Sequence, residues 1–197
     1  MNKANKITMV RVIMSLVIII LLLFPFDQMG MDFPTYLVGG RILIDLKYII
    51  VGVLFIIASF TDFLDGYVAR KYNMVTDFGK MIDAISDKLL TNSVLVILGC
   101  SGKIPAVIVV IIIARDIVVD SIKMVIGNKG YAVAAIGVAK VKTATLMVGI
   151  ILTLFYNLPF ELISLRISEF LLVLAAILSI ISGVKYYIMA KPYLKDR

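Results

Sequence analysis

Six stretches of this chain, roughly residues 7–26, 47–69, 79–100, 103–126, 141–156 and 169–190, are apolar and long enough to cross a lipid bilayer. The hydrocarbon core of a bilayer is about 30 Å thick and takes about 20 helical residues to cross. A backbone inside it must satisfy its hydrogen bonds internally, which for runs of this length leaves the α-helix. The pattern therefore predicts an all-α integral membrane protein, a bundle of six transmembrane helices forming a single domain over residues 1–197. Composition agrees: 61% of the residues are hydrophobic, against about 45–50% in an average soluble domain.

The net charge of +7 is distributed by topology. Lys3, Lys6 and Arg11 precede or open the first run, and Arg70, Lys71 and Lys80 lie between the second and third. Lys123, Lys129, Lys140 and Lys142 lie between the fourth and fifth, and Lys185, Lys191, Lys195 and Arg197 end the chain. The alternate connections carry only Arg41, Lys47, Lys103 and Arg166. By the positive-inside bias this predicts a multi-pass cell-membrane protein with both termini in the cytoplasm. It makes the basic residues topogenic, and attractive to anionic lipid, rather than a nucleic-acid patch. Cys100 is the only cysteine and there is no histidine. An intrachain disulfide, a Ser-His-Asp triad and His-ligated zinc are thereby excluded. A bacterial cytoplasmic membrane suits the short connections and the missing disulfides.

Against this background four carboxylates are out of place. Asp62 and Asp65 stand three residues apart near the end of the second run, and Asp83 and Asp87 four apart near the start of the third. Helical spacing sets each pair on one face. From Tyr48 to Asp62 is about 21 Å of helix, and from Cys100 back to Asp87 about 20 Å. In antiparallel neighbours both deep carboxylates then lie at one level, toward the cytoplasmic side. Arg115, about 18 Å into the fourth run, reaches the same level. Ionised groups at such depth are costly unless paired, and they mark function. Segment 27–46 reads as an outer loop from its glycines, Pro34 and aspartates, and Asn128-Lys129-Gly130 and Asn157-Leu158-Pro159 read as helix breaks.

Clustered carboxylates suit hard divalent ions, Mg²⁺ or Mn²⁺, better than zinc. Two such ions about 3.5–4 Å apart can clamp an in-line displacement at phosphorus. Gly66, Ala69 and Gly79 fall on the carboxylate-bearing faces and let a ligand approach closely. Arg70 suits bidentate contact with a phosphate.

Together these residues spell Asp62-x2-Asp65-Gly66-x2-Ala69-Arg70-x8-Gly79-x3-Asp83-x3-Asp87. The pattern resembles the signature of the CDP-alcohol phosphotransferases at every fixed position; eight identities at fixed spacing arise by chance about once in 10¹⁰ starts. Asn5-Lys6-Ile7-Thr8-Met9-Val10-Arg11, Ala114-Arg115-Asp116 and Lys140-Val141-Lys142-Thr143 also look like the bacterial phosphatidylglycerophosphate synthases of that family, so the likeness covers nearly the whole chain.

The resemblance implies an enzyme that joins CDP-diacylglycerol to sn-glycerol 3-phosphate and releases CMP, working as a homodimer in membrane lipid with two Mg²⁺ or Mn²⁺ ions per site. It implies Asp62, Asp65 and Asp83 as metal ligands. Asp87 would be the general base, also touching a metal, and Gly66, Ala69, Arg70 and Gly79 would border the CDP moiety. A phosphate-bearing acceptor needs a second basic pocket, for which Arg115, Lys140, Lys142 and Arg11 are the candidates, with Lys88 a further possible contact. The chain departs from the family pattern at Ala84, where proline is usual, and at Asp116, Ile117, Asp120 and Lys123, where Glu, Phe, Thr and Arg are usual. These positions fall near the acceptor side and open an alternative: a cardiolipin synthase of the same fold with phosphatidylglycerol as acceptor. An inositol phosphate acceptor is a third. A divalent-cation carrier could also place carboxylates in a membrane, but it has no use for the Gly-x-x-Ala-Arg segment.

Overall fold

The computed structural model describes residues 3–71, 77–130 and 136–194, without the side chains of 3–6, 27, 62–71, 77, 78, 80 and 194. Among the described residues the chain forms α1 (Lys3–Leu23), α2 (Leu46–Lys71), α3 (Asp77–Cys100), α4 (Ala106–Asn128), α5 (Gly137–Leu154) and α6 (Ile167–Leu194). Each overlays one of the six predicted apolar runs, with its ends moved by a few residues.

The surface of this bundle is apolar. Ile13 and Ile20 on α1, Phe60 on α2, Ile85 on α3, Val107 and Ile117 on α4, Val141 on α5 and Phe170 and Ile188 on α6 are all exposed. An apolar exterior on every helix suits lipid, and would be a liability in water. α5 over Gly137–Leu154 and α6 over Ile167–Tyr193 are long and apolar enough to cross a bilayer. α1 and α2 contribute shorter apolar stretches, Ile7–Leu23 and Leu46–Thr61. In α3 the run is interrupted by Asp83, Asp87 and Lys88, and in α4 by Arg115, Asp116, Asp120 and Lys123. Charge interrupts hydropathy where chemistry is expected.

α1 packs against α2 and α3, α2 meets α5, and α4 and α5 both lie along α6. Ile18, Phe55, Leu90, Val94, Leu98, Ile112, Leu146, Ile150 and Leu172 belong to one buried cluster that joins all six helices. The approach of α2 to α5 depends on Gly52, where a Cβ would stand 2.6 Å from the Phe155 ring. At the end of α3, Gly102 takes a φ of +72°, available to glycine without strain. The chain there turns so that Lys103 and Ile104 both donate to the Leu98 carbonyl, at 2.9 and 3.2 Å. α4 stops at Asn128, where Lys129 and Gly130 were expected to break it.

One region departs from expectation. Part of segment 27–46, read as an outer loop, forms an antiparallel hairpin of β1 (Thr35–Val38) and β2 (Ile42–Asp45), with Val38 opposite Ile42 and Thr35 opposite Asp45. Gly39 and Gly40 at its tip have φ of +61° and +68°, which lets the strands reverse over three residues. The hairpin is fastened to the bundle by the Asp45 N–H, which donates to Tyr156 Oη at 3.0 Å. Beside it Lys103 lies over the rings of Tyr48 and Tyr156, 4.2 and 4.3 Å from their centroids. A buried Asn157 fastens the α5–α6 connection: its amide donates to Glu161 and to the Leu165 carbonyl, and its oxygen accepts from the Ser168 N–H.

Candidate active site

α3 organises the polar interior. Ile82, Ser86 and Leu90 face the core, Met81 and Ile85 face outward, and Asp83 and Asp87 lie between these faces one turn apart. Arg11 reaches them from α1. Its side chain is 1% exposed, and Nη1 donates to Asp83 Oδ1 at 3.0 Å. A guanidinium buried in an apolar bundle requires a carboxylate partner, and Asp83 supplies one.

A second cluster is assembled by α4, α5 and α6. Arg115 Nη1 donates to Asp116 Oδ1 at 2.8 Å, and Nη2 donates to Ser182 Oγ at 2.8 Å. Lys142, buried near the start of α5, donates to both oxygens of Asp116 at 3.0 Å. One carboxylate thus holds two cations side by side against their mutual repulsion. Hydrogen bonds to charged groups each contribute about 1.5–3 kcal/mol. α6 gives the cluster room and a back wall: a Cβ at Gly183 would stand 3.2 Å from Arg115 Cγ. The Tyr186 ring lies 5.6 Å from the Arg115 guanidinium carbon and 4.9 Å from Lys123 Nζ. Tyr186 is itself positioned by the Ile136 N–H, which donates to its hydroxyl at 3.2 Å.

Asp87, one turn from Asp83, and the second cluster share a cavity of about 580 Å³. Asp87 and Lys88 line it from α3, Arg115, Asp116, Asp120 and Lys123 from α4, and Lys140 and Lys142 from α5. Among the described residues five cations and three carboxylates line this space. Lys88 and Asp120 pair across α3 and α4.

The structure therefore brings Asp87, Arg115, Lys140 and Lys142 to one cavity. Arg11 is not among its lining residues and is engaged with Asp83 instead. Gly79 opens the same helix as Asp83 and Asp87. Asp62, Asp65, Gly66, Ala69 and Arg70 belong to α2, but their side chains lie outside the described residues, as does most of the predicted turn at 71–78. Among the described residues no three metal-ligating side chains cluster. Asp83 and Asp87 nonetheless offer hard carboxylate oxygens one turn apart, a donor set that fits Mg²⁺ or Mn²⁺. The contributions of Ser182, Gly183 and Tyr186 went unread in the sequence. The available signal was a Ser-Gly pair and a tyrosine interrupting the last apolar run.

A family model described as CDP-alcohol phosphatidyltransferase matches residues 1–181. The chain belongs to the CDP-alcohol phosphatidyltransferase family. It is 38% identical over 186 residues to the CDP-diacylglycerol–glycerol-3-phosphate 3-phosphatidyltransferase of Bacillus subtilis (strain 168), covering 94% of this chain and 93% of that protein. It is 34% identical over 175 residues to the protein of the same name from Rickettsia felis, covering 82% and 97% of the two chains. The Mycoplasma genitalium protein of that name is 35% identical over 153 residues, covering 77% of this chain and 64% of its own. Family membership makes this chain a transferase, and with it the conjunction of a base candidate and a cation-lined cavity acquires a meaning.

Proposed function

We propose that this protein transfers the phosphatidyl group of CDP-diacylglycerol to sn-glycerol 3-phosphate, giving phosphatidylglycerophosphate and CMP. The observation that carries the reading is the single cavity shared by Asp87, Arg115, Lys140 and Lys142. The names of the relatives from B. subtilis and R. felis support the same pair of substrates.

Asp87 is positioned to accept the proton of the attacking acceptor hydroxyl. That oxygen bonds to the lipid-side phosphorus of the pyrophosphate as the bond to the CMP oxygen breaks, and CMP departs with the electron pair. Arg115, Lys140 and Lys142 hold the acceptor's phosphate, and Asp116 keeps two of them in register. The basic residues around Arg115 favour a small anionic acceptor such as a phosphomonoester. Gly66, Ala69, Arg70 and Gly79 border the CDP moiety. Asp62, Asp65, Asp83 and Asp87 would hold two Mg²⁺ or Mn²⁺ ions, whose chemistry is to neutralise the pyrophosphate and the departing CMP. Arg11 orients Asp83 within that group rather than binding acceptor.

The six helices cross the membrane in this reading, with the cavity toward the cytoplasm, where basic residues concentrate, and two copies pair within the bilayer. The deciding experiment is CMP release by purified protein from CDP-diacylglycerol with glycerol 3-phosphate, phosphatidylglycerol, inositol phosphate or serine as acceptor. Release with phosphatidylglycerol alone would replace the acceptor named here.

A further inference from the structure

Hydroxyl side chains inside helices usually donate to the carbonyl four residues back. Ser15, Ser121, Thr143 and Thr153 do so here, at 2.8, 2.9, 3.1 and 2.8 Å. Ser59 on α2 and Thr91 on α3 do not. Their hydroxyl oxygens are closed off from solvent and have no hydrogen-bond partner among the described residues. Both residues line the 580 Å³ cavity that holds Asp87. Arg115 Nε, on the wall of the same cavity, is likewise buried without a partner. The unpaired hydroxyls of Ser86 and Ser179 lie off the cavity wall.

Position gives these atoms a purpose. Thr91 follows Asp87 by four residues on one face of α3, about 6 Å further along the helix. Two oxygens on adjacent carbons, each about 2.8 Å from its partner, bridge that gap. Ser59 precedes Asp62 by one turn on α2, so both hydroxyls lie one turn beyond the signature carboxylates of their helices. A hydroxyl of a residue on the cavity wall can donate to or accept from an alcohol.

We propose that Thr91, with Ser59, binds the non-reacting secondary hydroxyl of a vicinal-diol acceptor and so selects which hydroxyl Asp87 addresses. This rests on the glycerol 3-phosphate reading above. It adds an alcohol subsite beside the base, for the hydroxyl on the carbon between the reacting end and the phosphate-bearing end of the acceptor.

The test compares glycerol 3-phosphate with 3-hydroxypropyl phosphate, which keeps the primary hydroxyl and phosphate but lacks the secondary hydroxyl. Wild-type protein is expected to prefer glycerol 3-phosphate by about 100-fold in kcat/KM, since a site built around a hydroxyl rejects the analogue without it. Thr91→Val should cut kcat/KM for glycerol 3-phosphate by about 30-fold and leave that for 3-hydroxypropyl phosphate within about twofold, and Thr91→Ser should restore the preference. Ser59→Ala provides the same ratio if Thr91→Val does not fold, and CDP binding reports that the nucleotide side is intact. An equal fall for both acceptors in the folded variants overturns the proposal, as does a wild type that uses both equally. Absence of CMP release from glycerol 3-phosphate by the wild type overturns the acceptor reading above, and this proposal with it.

Discussion

Two arginines enter the polar interior from different helices, and their surroundings differ. Arg11 on α1 is fully buried and bonds to Asp83, a carboxylate of the family signature. Arg115 on α4 bonds to Asp116, which also takes Lys142, and it faces the cavity. Both look alike in the sequence: a lone guanidinium inside an apolar run, and a candidate for the acceptor phosphate. The difference lies in which carboxylate each meets and whether open space remains beside it. A cation neutralised by a signature carboxylate orients that carboxylate; a cation that shares its carboxylate with a second cation retains an excess of charge for a substrate anion.

Asp87 stands between the two clusters, and its loss should be the largest effect. Asp87→Asn is expected to lower CMP release by about 10²–10⁴-fold, the usual worth of a positioned base, while CDP binding persists. Unchanged turnover would remove the base assignment and the meeting point of the two clusters.

Lys142→Met comes next. It deletes one charged hydrogen-bonding partner, about 2 kcal/mol or roughly 30-fold in kcat/KM for glycerol 3-phosphate. The loss should appear mainly in acceptor KM, with the metal requirement unchanged. If KM for the nucleotide lipid rises instead, the cavity has been assigned to the wrong substrate.

Arg11→Gln should do the reverse. Loss of a group that orients a metal ligand typically weakens metal binding by about 10–100-fold, so the Mn²⁺ concentration needed for half-maximal activity should rise by about tenfold. Acceptor KM should stay within about twofold. Titration of Mn²⁺ against the purified protein by calorimetry checks this without turnover. A rise in acceptor KM with unchanged Mn²⁺ affinity would return Arg11 to the acceptor group.

The smallest effect is expected from Gly183→Ala, whose Cβ would press on Arg115 Cγ at 3.2 Å. Crowding at that distance shifts the side chain by a few tenths of an ångström, for a cost of about 1 kcal/mol or about fivefold in acceptor KM. A null result in acceptor kinetics would show that Arg115 has slack and that α6 serves only as packing.

Much of this architecture is readable along the chain because helical chemistry is local. Apolar runs of about 20 residues announce helices, and each of the six runs became one. Spacing of three and four residues places side chains on one face, so Asp83 and Asp87 could be paired before any fold was known. The depth argument placed Arg115 level with the carboxylates, and it lines the same cavity as Asp87. Even the hairpin had a signal, since Gly39-Gly40 separates two short apolar runs, but it was outweighed by the glycines and aspartates around it.

What the chain could not announce was who meets whom across helices. Arg11 finds Asp83 over a separation of 72 residues, Arg115 finds Ser182 over 67, and Lys142 finds Asp116 over 26. Those meetings depend on how far each helix is rotated and slid against its neighbours. That docking is set by the packing of Phe55, Leu90, Ile112, Ile150 and Leu172 in the shared core. Helical periodicity ranks the faces of one rod; only the assembled bundle determines which faces touch and where a cavity is left between them.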